Sequence, residues 1–246
     1  MGKALTLAHR ELAGYFFSPM AYVIGTLFLL VSGVLFFWGL PQLDIREVFS
    51  PGNESSLRQL FEDLAYIMVF VAPLLTMRLL SDEFRSGTIE TLMTAPISDA
   101  QVVMGKFLGV MGFYLVLLAS TLVFLLLIGL FGQPDAGVAA MGYLGMILLG
   151  AAFLSVGLFC STLSPHQLVA AILGIAILAM FSMMMQLVVK YAPEPWNYLA
   201  SLLNAMTYFK DFSRGVFDTR ALAFFLTSSG LFLFLSVKTL ESKRWR

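Results

Sequence analysis

The chain has 246 residues, 59% of them hydrophobic and only 12% charged, with a mean hydropathy of +0.87. Soluble domains run at about 45–50% apolar and about 25% charged, so the surplus apolar surface here has to face lipid. Fifteen basic residues balance fifteen acidic ones, which leaves no basic stripe for nucleic acid, and the single cysteine, Cys160, excludes an intrachain disulfide.

In chain order, Lys3–Ser18 predicts an amphipathic helix. Leu5, Ala8, Leu12, Tyr15 and Phe16 recur at helical spacing, and Lys3, Arg10 and Glu11 are available to lipid headgroups. Ser18-Pro19 breaks it. The apolar run Ala21–Leu40 is longer than a signal-peptide core and has no small-residue cleavage site after it, so it reads as an anchor. A membrane span needs about 20 mostly apolar residues. Five further segments qualify: Leu64–Leu80, Phe107–Phe131, Gly137–Ser161, Leu168–Val189 and Ala221–Val237. Pro73 predicts a kink in the second span. Pro41–Asp63, with Pro51-Gly52-Asn53, reads as a polar loop. The tight turn Gly132–Ala136 and the link Thr162–Gln167 make helical hairpins of spans three to five. Ahead of the last span, Leu199, Leu202, Leu203, Met206, Phe209 and Phe212 follow an i, i+3, i+4 stripe, which predicts a helix on the outer surface or dipping into it. The expected fold is all-α, one membrane domain over residues 1–246 with six transmembrane helices.

With six spans both termini share a side. That side holds nine cations (Lys3, Arg10, Arg78, Arg85, Lys106, Lys238, Lys243, Arg244 and Arg246) against six on the other (Arg46, Arg58, Lys190, Lys210, Arg214 and Arg220). The excess places both termini and the loop Ser81–Lys106 in the cytoplasm. Several chemistries are missing. The sequence has no G-x-x-x-x-G-K-[ST] phosphate loop, G-x-S-x-G or H-E-x-x-H, and His9 and His166 stand apart without a carboxylate or cysteine cluster. No Asp, Glu or His sits near the centre of a predicted span, as an ion-driven transporter would need.

The loop Ser81–Lys106 concentrates Asp82, Glu83, Arg85, Glu90 and Asp99 in an otherwise apolar chain. Ser81–Arg85 reads as a polar extension of span two, Gly87 permits a sharp break, and Thr88–Ala95 predicts a short helix ended by Pro96. Ile89, Leu92 and Met93 share one face of it, and Glu90 lies in its first turn, where a carboxylate favours the helix dipole. Such a helix suits a cleft on a soluble partner; it equally suits a solvated connection between two spans.

The run E-F-R-S-G-T-I-E-T-L-M-T-A-P resembles the E-x-x-x-G-T-x-E-x-L-L-x-x-P hallmark of ABC-2 type permeases. It falls on Glu83, Gly87, Thr88, Glu90, Leu92 and Pro96, followed by Lys106, with Met93 in place of a Leu. Arg10-Glu11-Leu12 and Ser18-Pro19 resemble that family's N-terminal elbow. Phe209, Phe212, Arg214-Gly215-Val216 and Asp218, with the end Leu240–Trp245, resemble the gliding-motility (Gld-type) and copper-enzyme-maturation permeases in particular.

The resemblance implies that the loop is a coupling helix docked on a separate ATP-binding subunit. That subunit binds ATP and magnesium, and this chain carries no cofactor. It further implies a second permease copy or a homologous permease, an exporter in a bacterial or archaeal cytoplasmic membrane, and no enzymatic activity in this chain alone. Glu83, Arg85, Gly87, Thr88, Ile89, Glu90, Leu92, Met93 and Pro96 are the coupling candidates, and Arg10 and Glu11 the elbow candidates. Arg214 and Asp218 are candidates for contact with a substrate or an extracytoplasmic accessory protein, or form a solvated pair. A module that transmits force to an external partner without transport stays open, as does a passive channel. The cluster Met180, Met183, Met184 and Met185 suits Cu(I) and equally suits gap-filling in a core. Gly105-x-x-x-Gly109 and Gly142/Gly145/Gly150 are read as close helix contacts or as the general glycine enrichment of spans.

Overall fold

The computed structural model describes residues 2–39, 55–88, 97–131 and 135–244. Its elements are α1 (Gly2–Phe16), α2 (Pro19–Gly39), α3 (Ser55–Thr76), α4 (Ser81–Ser86), α5 (Asp99–Ser120) and α6 (Leu122–Phe131). They continue with α7 (Ala136–Leu163), α8 (Gln167–Ala179), a π turn at Met180–Met184, α9 (Met185–Tyr191), α10 (Trp196–Leu203), α11 (Ala205–Ser213) and α12 (Thr219–Arg244). No strand occurs among the described residues. Among the described residues six stretches are long and apolar enough to cross a membrane: 19–37, 58–86, 99–130, 136–163, 167–191 and 219–243.

The second and fourth of these are central. In each, 72% of the most apolar window is buried, against 17–39% in the other four. Phe61, Leu64, Ala65, Met68, Val69 and Ala72 of α3 are fully buried, and α7 lets α3 come close by presenting glycine. The Phe61 ring lies where a side chain at Gly142 would stand, and Thr76 fills the corresponding space at Gly157. Tyr114 of α5 occupies the space beside Gly150 and donates its hydroxyl to the Met146 carbonyl at 2.8 Å. Gly142, Gly150 and Gly157 of α7 are therefore contact sites, filled by Phe61, Tyr114 and Thr76 of neighbouring helices.

Several boundaries differ from the sequence reading. Span two begins well before Leu64, because α3 runs back to Ser55 and carries Arg58, Glu62 and Asp63 on helix. Arg58 and Glu62 pair there at 3.0 Å, so charge spaced i, i+4 prolongs the helix where hydropathy alone ends it. Pro73 lies inside α3, which continues to Thr76 before a turn at Met77–Leu80. Span three starts at Asp99 and not at Phe107. Ser98 caps it in a reciprocal box: its side chain accepts from the Gln101 N–H at 3.3 Å, and the Gln101 side chain accepts from the Ser98 N–H at 3.3 Å. Thr121 divides the same span into α5 and α6.

Span five is interrupted by the π turn. Ser182 is buried there, with its hydroxyl on the Leu178 carbonyl, while Met180 and Met184 are exposed. The stripe before span six also splits. Asn204, 1% exposed, accepts from the Met206 N–H at 3.0 Å and starts a new helix, so the apolar row falls on two elements. Met206, Phe209 and Phe212 of α11 are buried, with Phe212 against Gly145 of α7. Leu199, Leu202 and Leu203 of α10 stay exposed.

Candidate functional site

The face of α1 is set by glycines on α5. Gly105, Gly109 and Gly112 recur one turn apart, and α1 lies close enough that a Cβ would come within 2.8 Å of Leu7, 2.7 Å of the Glu11 Cβ and 3.3 Å of Leu12. The Gly105-x-x-x-Gly109 spacing is thus a seat for α1. Tyr15 completes it, stacking on Phe113 with ring centroids 5.0 Å apart and donating its hydroxyl to the Leu75 carbonyl at 2.7 Å. Burial, with the Glu11 carboxylate as a lesser cause, holds the Tyr15 phenol well above its ordinary pKa.

This seating rotates Glu11 inward. It was expected at the lipid headgroups; instead its Oε1 lies 3.0 Å from Lys106 Nζ. Leu5 and Phe16 of the predicted apolar stripe are exposed, and Leu7 packs inward. Lys106 is 2% exposed, and Glu83 Oε1 approaches its ammonium from the other side at 2.8 Å. A buried ammonium costs several kcal/mol unless compensated. Two carboxylates from two other elements compensate it, leaving a formal charge of −1 on the trio. Glu83 Oε2 is buried without a hydrogen-bond partner and belongs to the lining of a cavity of about 260 Å³, shared with Tyr15, Ser18, Arg78 and Asp82. Arg78 reaches Ser18 at 3.0 Å and Asp82 at 3.4 Å.

Four consecutive residues of the short helix α4 engage four different helices. Ser81 donates to the Ser161 carbonyl of α7 at 3.2 Å, and Asp82 accepts from the Gln167 side chain at the start of α8. Glu83 holds Lys106 of α5. The Phe84 ring lies 4.0 Å beneath Lys243 Nζ of α12, which also donates to the Thr162 carbonyl at 2.6 Å. Successive helical residues point about 100° apart, so four in a row face all the way round the axis. These four contacts tie α4 to α5, α7, α8 and α12, while Arg85 and Ser86 at its end are exposed.

The other predicted residues are placed as follows. Arg10 and Arg85 are exposed. Gly87 ends α4 with φ +73°, the left-handed conformation that glycine adopts freely, and Thr88 shares a hydrogen bond with Ser86 at 2.8 Å. The predicted helix Thr88–Ala95 beyond its first residue, with Ile89, Glu90, Leu92, Met93 and Pro96, lies outside the described residues, as do Pro51-Gly52-Asn53, the turn at Gly132-Gln133-Pro134, and Trp245. Arg214 and Asp218 do not pair with each other. Arg214 is exposed, whereas Asp218 accepts from the Arg220 N–H at 2.8 Å and begins α12. Glu83 does not point outward toward a partner as its motif position suggested, because it is needed inside. The Glu11–Lys106–Glu83 trio was missed in the sequence. The available signal was a lysine within an apolar stretch, which has to find counter-charge somewhere. Among the described residues no group of three His, Cys, Asp or Glu is arranged to hold a metal ion.

Six apolar helices with charge gathered and paired at one end define a multi-pass membrane protein. The family described as ABC-2 family transporter protein matches residues 5–236, nearly the whole chain, and the chain belongs to that family. The family is a membrane component without ATPase motifs of its own. No curated protein matches the chain.

Proposed function

We propose that this chain is the membrane-spanning subunit of an ATP-driven ABC exporter, coupled through residues 81–98 to a separate ATP-binding subunit. The observation that supports coupling is the arrangement of α4. It carries the first residue of the family motif, Glu83, and its four consecutive contacts reach α7, α8, α5 and α12. A displacement delivered to the following loop is thereby passed to four helices at once. Family membership implies an ATP-binding partner in general. Two copies of this chain, or one copy with a homologous permease, give each of two ATPases its own loop. The positive-side excess supports a bacterial or archaeal cytoplasmic membrane with both termini inside. Lys106 adds nothing to that excess, since it is buried in an ion pair and cannot meet headgroups. The Gld-type subgroup rests on the sequence before α12, Phe209, Phe212, Arg214-Gly215-Val216 and Asp218, and on the end Leu240–Trp245.

Docking is tested at Arg85, which is exposed, and at Glu90 of the family motif. Arg85→Glu and Glu90→Lys should each lower the ATPase activity of the assembled complex several-fold and reduce co-purification of the ATP-binding subunit. The amount of this chain in the membrane should stay the same. Unchanged activity and unchanged co-purification in both variants would sink the coupling assignment.

A further inference from the structure

A second cavity, about 320 Å³, lies between α2 and α3. Drug-sized pockets run from about 300 Å³ upward, so this one is of ligand size. Leu27, Val31 and Leu35 line it from α2, each one turn after the last, and Ile67, Phe70 and Leu74 line it from α3. From Asp63 to Leu74 the lining row extends roughly 16 Å along α3, at about 1.5 Å per residue. The cavity is therefore long, narrow and apolar. Its polar groups are confined to the Asp63 end: Asp63 itself and Tyr66, whose hydroxyl donates to Gln186 of α9 at 2.8 Å.

Asp63 is unusual in that setting. It is half-buried and accepts from the Gln59 side chain at 3.0 Å, but among the described residues no cation pairs with it. The neighbouring Glu62 has Arg58 at 3.0 Å, so that arginine is already engaged. A carboxylate against an apolar wall lacks full hydration and gains from a cation brought to it. The Tyr66 ring offers such a cation a second, weaker attraction.

We propose that this groove binds a single-chain alkylammonium amphiphile, its cationic head at Asp63 and its chain laid between α2 and α3. The complementarity is in both charge and shape: at one end a carboxylate with no cationic partner among the described residues, and an apolar trough for the rest. An anionic head would be repelled, and an uncharged alkyl chain would leave Asp63 unpaired. Binding requires no ATPase, so its failure would leave the permease reading intact, and a failure of ATPase coupling would leave this site intact.

The test uses the purified full chain in an uncharged maltoside detergent. Tritiated hexadecyltrimethylammonium and hexadecanol, each also carrying a photoreactive group in mid-chain, serve as probes. The ammonium probe should label facing positions on α2 and α3 in the unmodified protein. Asp63→Asn should weaken ammonium binding roughly tenfold, equivalent to 1.4 kcal/mol, while hexadecanol binding stays unchanged. Val31→Trp, which fills the trough, should abolish labelling of the groove by either probe. The proposal is overturned if the two probes bind equally well to the unmodified protein, if Asp63→Asn leaves ammonium binding intact, or if the label falls on other helices. It is equally overturned if Leu27→Cys cross-links two copies of the chain and the groove excludes the probe, since a second copy is then the occupant.

Discussion

Replacing Lys106 by Met removes the ammonium that Glu11 and Glu83 share. The two carboxylate oxygens lie 3.0 and 2.8 Å from Nζ, so they are no more than about 6 Å apart. At an effective dielectric of about 20, two like charges at that distance repel by about 3 kcal/mol. Both side chains keep some solvent contact, 21% for Glu11 and 23% for Glu83, and water screens part of this. A net loss of about 2–3 kcal/mol is expected, toward the lower end of what breaking a buried ion pair costs. For a chain of this length that corresponds to a melting temperature lower by roughly 5–10 °C. The assay is thermal unfolding of detergent-purified protein, followed by the reactivity of buried Cys160. The triple variant Glu11→Gln, Lys106→Met, Glu83→Gln carries no charge at the site and should recover to within about 1 kcal/mol of the unmodified protein. Two results would refute this account: a Lys106→Met protein as stable as the parent, or a triple variant no more stable than the single one.

Gly109→Ala should destabilise by about 1–2 kcal/mol, because its Cβ would meet the Glu11 Cβ at 2.7 Å and push α1 off α5. Gly14→Ala, on α1 with open space around it, should instead stabilise by about 0.5–1 kcal/mol; the pair of melting temperatures separates close contact from helix propensity. Tyr114→Phe should cost about 1 kcal/mol by removing the buried hydroxyl's hydrogen bond to the Met146 carbonyl, measurable in the same unfolding assay. Asn204→Ala should lose about 1 kcal/mol of helix capping and increase proteolytic nicking between α10 and α11, while leaving the rest of the chain intact.

Hydropathy and turn chemistry carried most of this fold. The six apolar stretches, the break at Ser18-Pro19 and the break at Gly87 are all local properties, set by side-chain size and backbone freedom at one place. What escaped the sequence reading is relational. Nothing in Glu11 or Lys106 alone says that residues 95 positions apart will share an ion pair; that follows only once α1 is seated on α5. The same holds for Asp82 with Gln167 and for Phe84 with Lys243. Hydropathy also started both span two and span three too late, because the charged turns at Arg58–Asp63 and Asp99–Lys106 are helical through pairing and capping. The π turn leaves no mark in composition, since methionine, phenylalanine and serine fit an α-helix as readily.

The four-way attachment of α4 has a mechanical corollary. A six-residue helix tied through four consecutive residues cannot turn without taking α5, α7, α8 and α12 with it. Compliance at this end of the molecule must then sit just beyond it. Gly87 is the natural place, with φ +73° and nothing within 4 Å of where its side chain would be. One residue acts as the joint and the six before it as the anchor bolt, so a bulkier residue at position 87 would stiffen the joint without loosening the bolt.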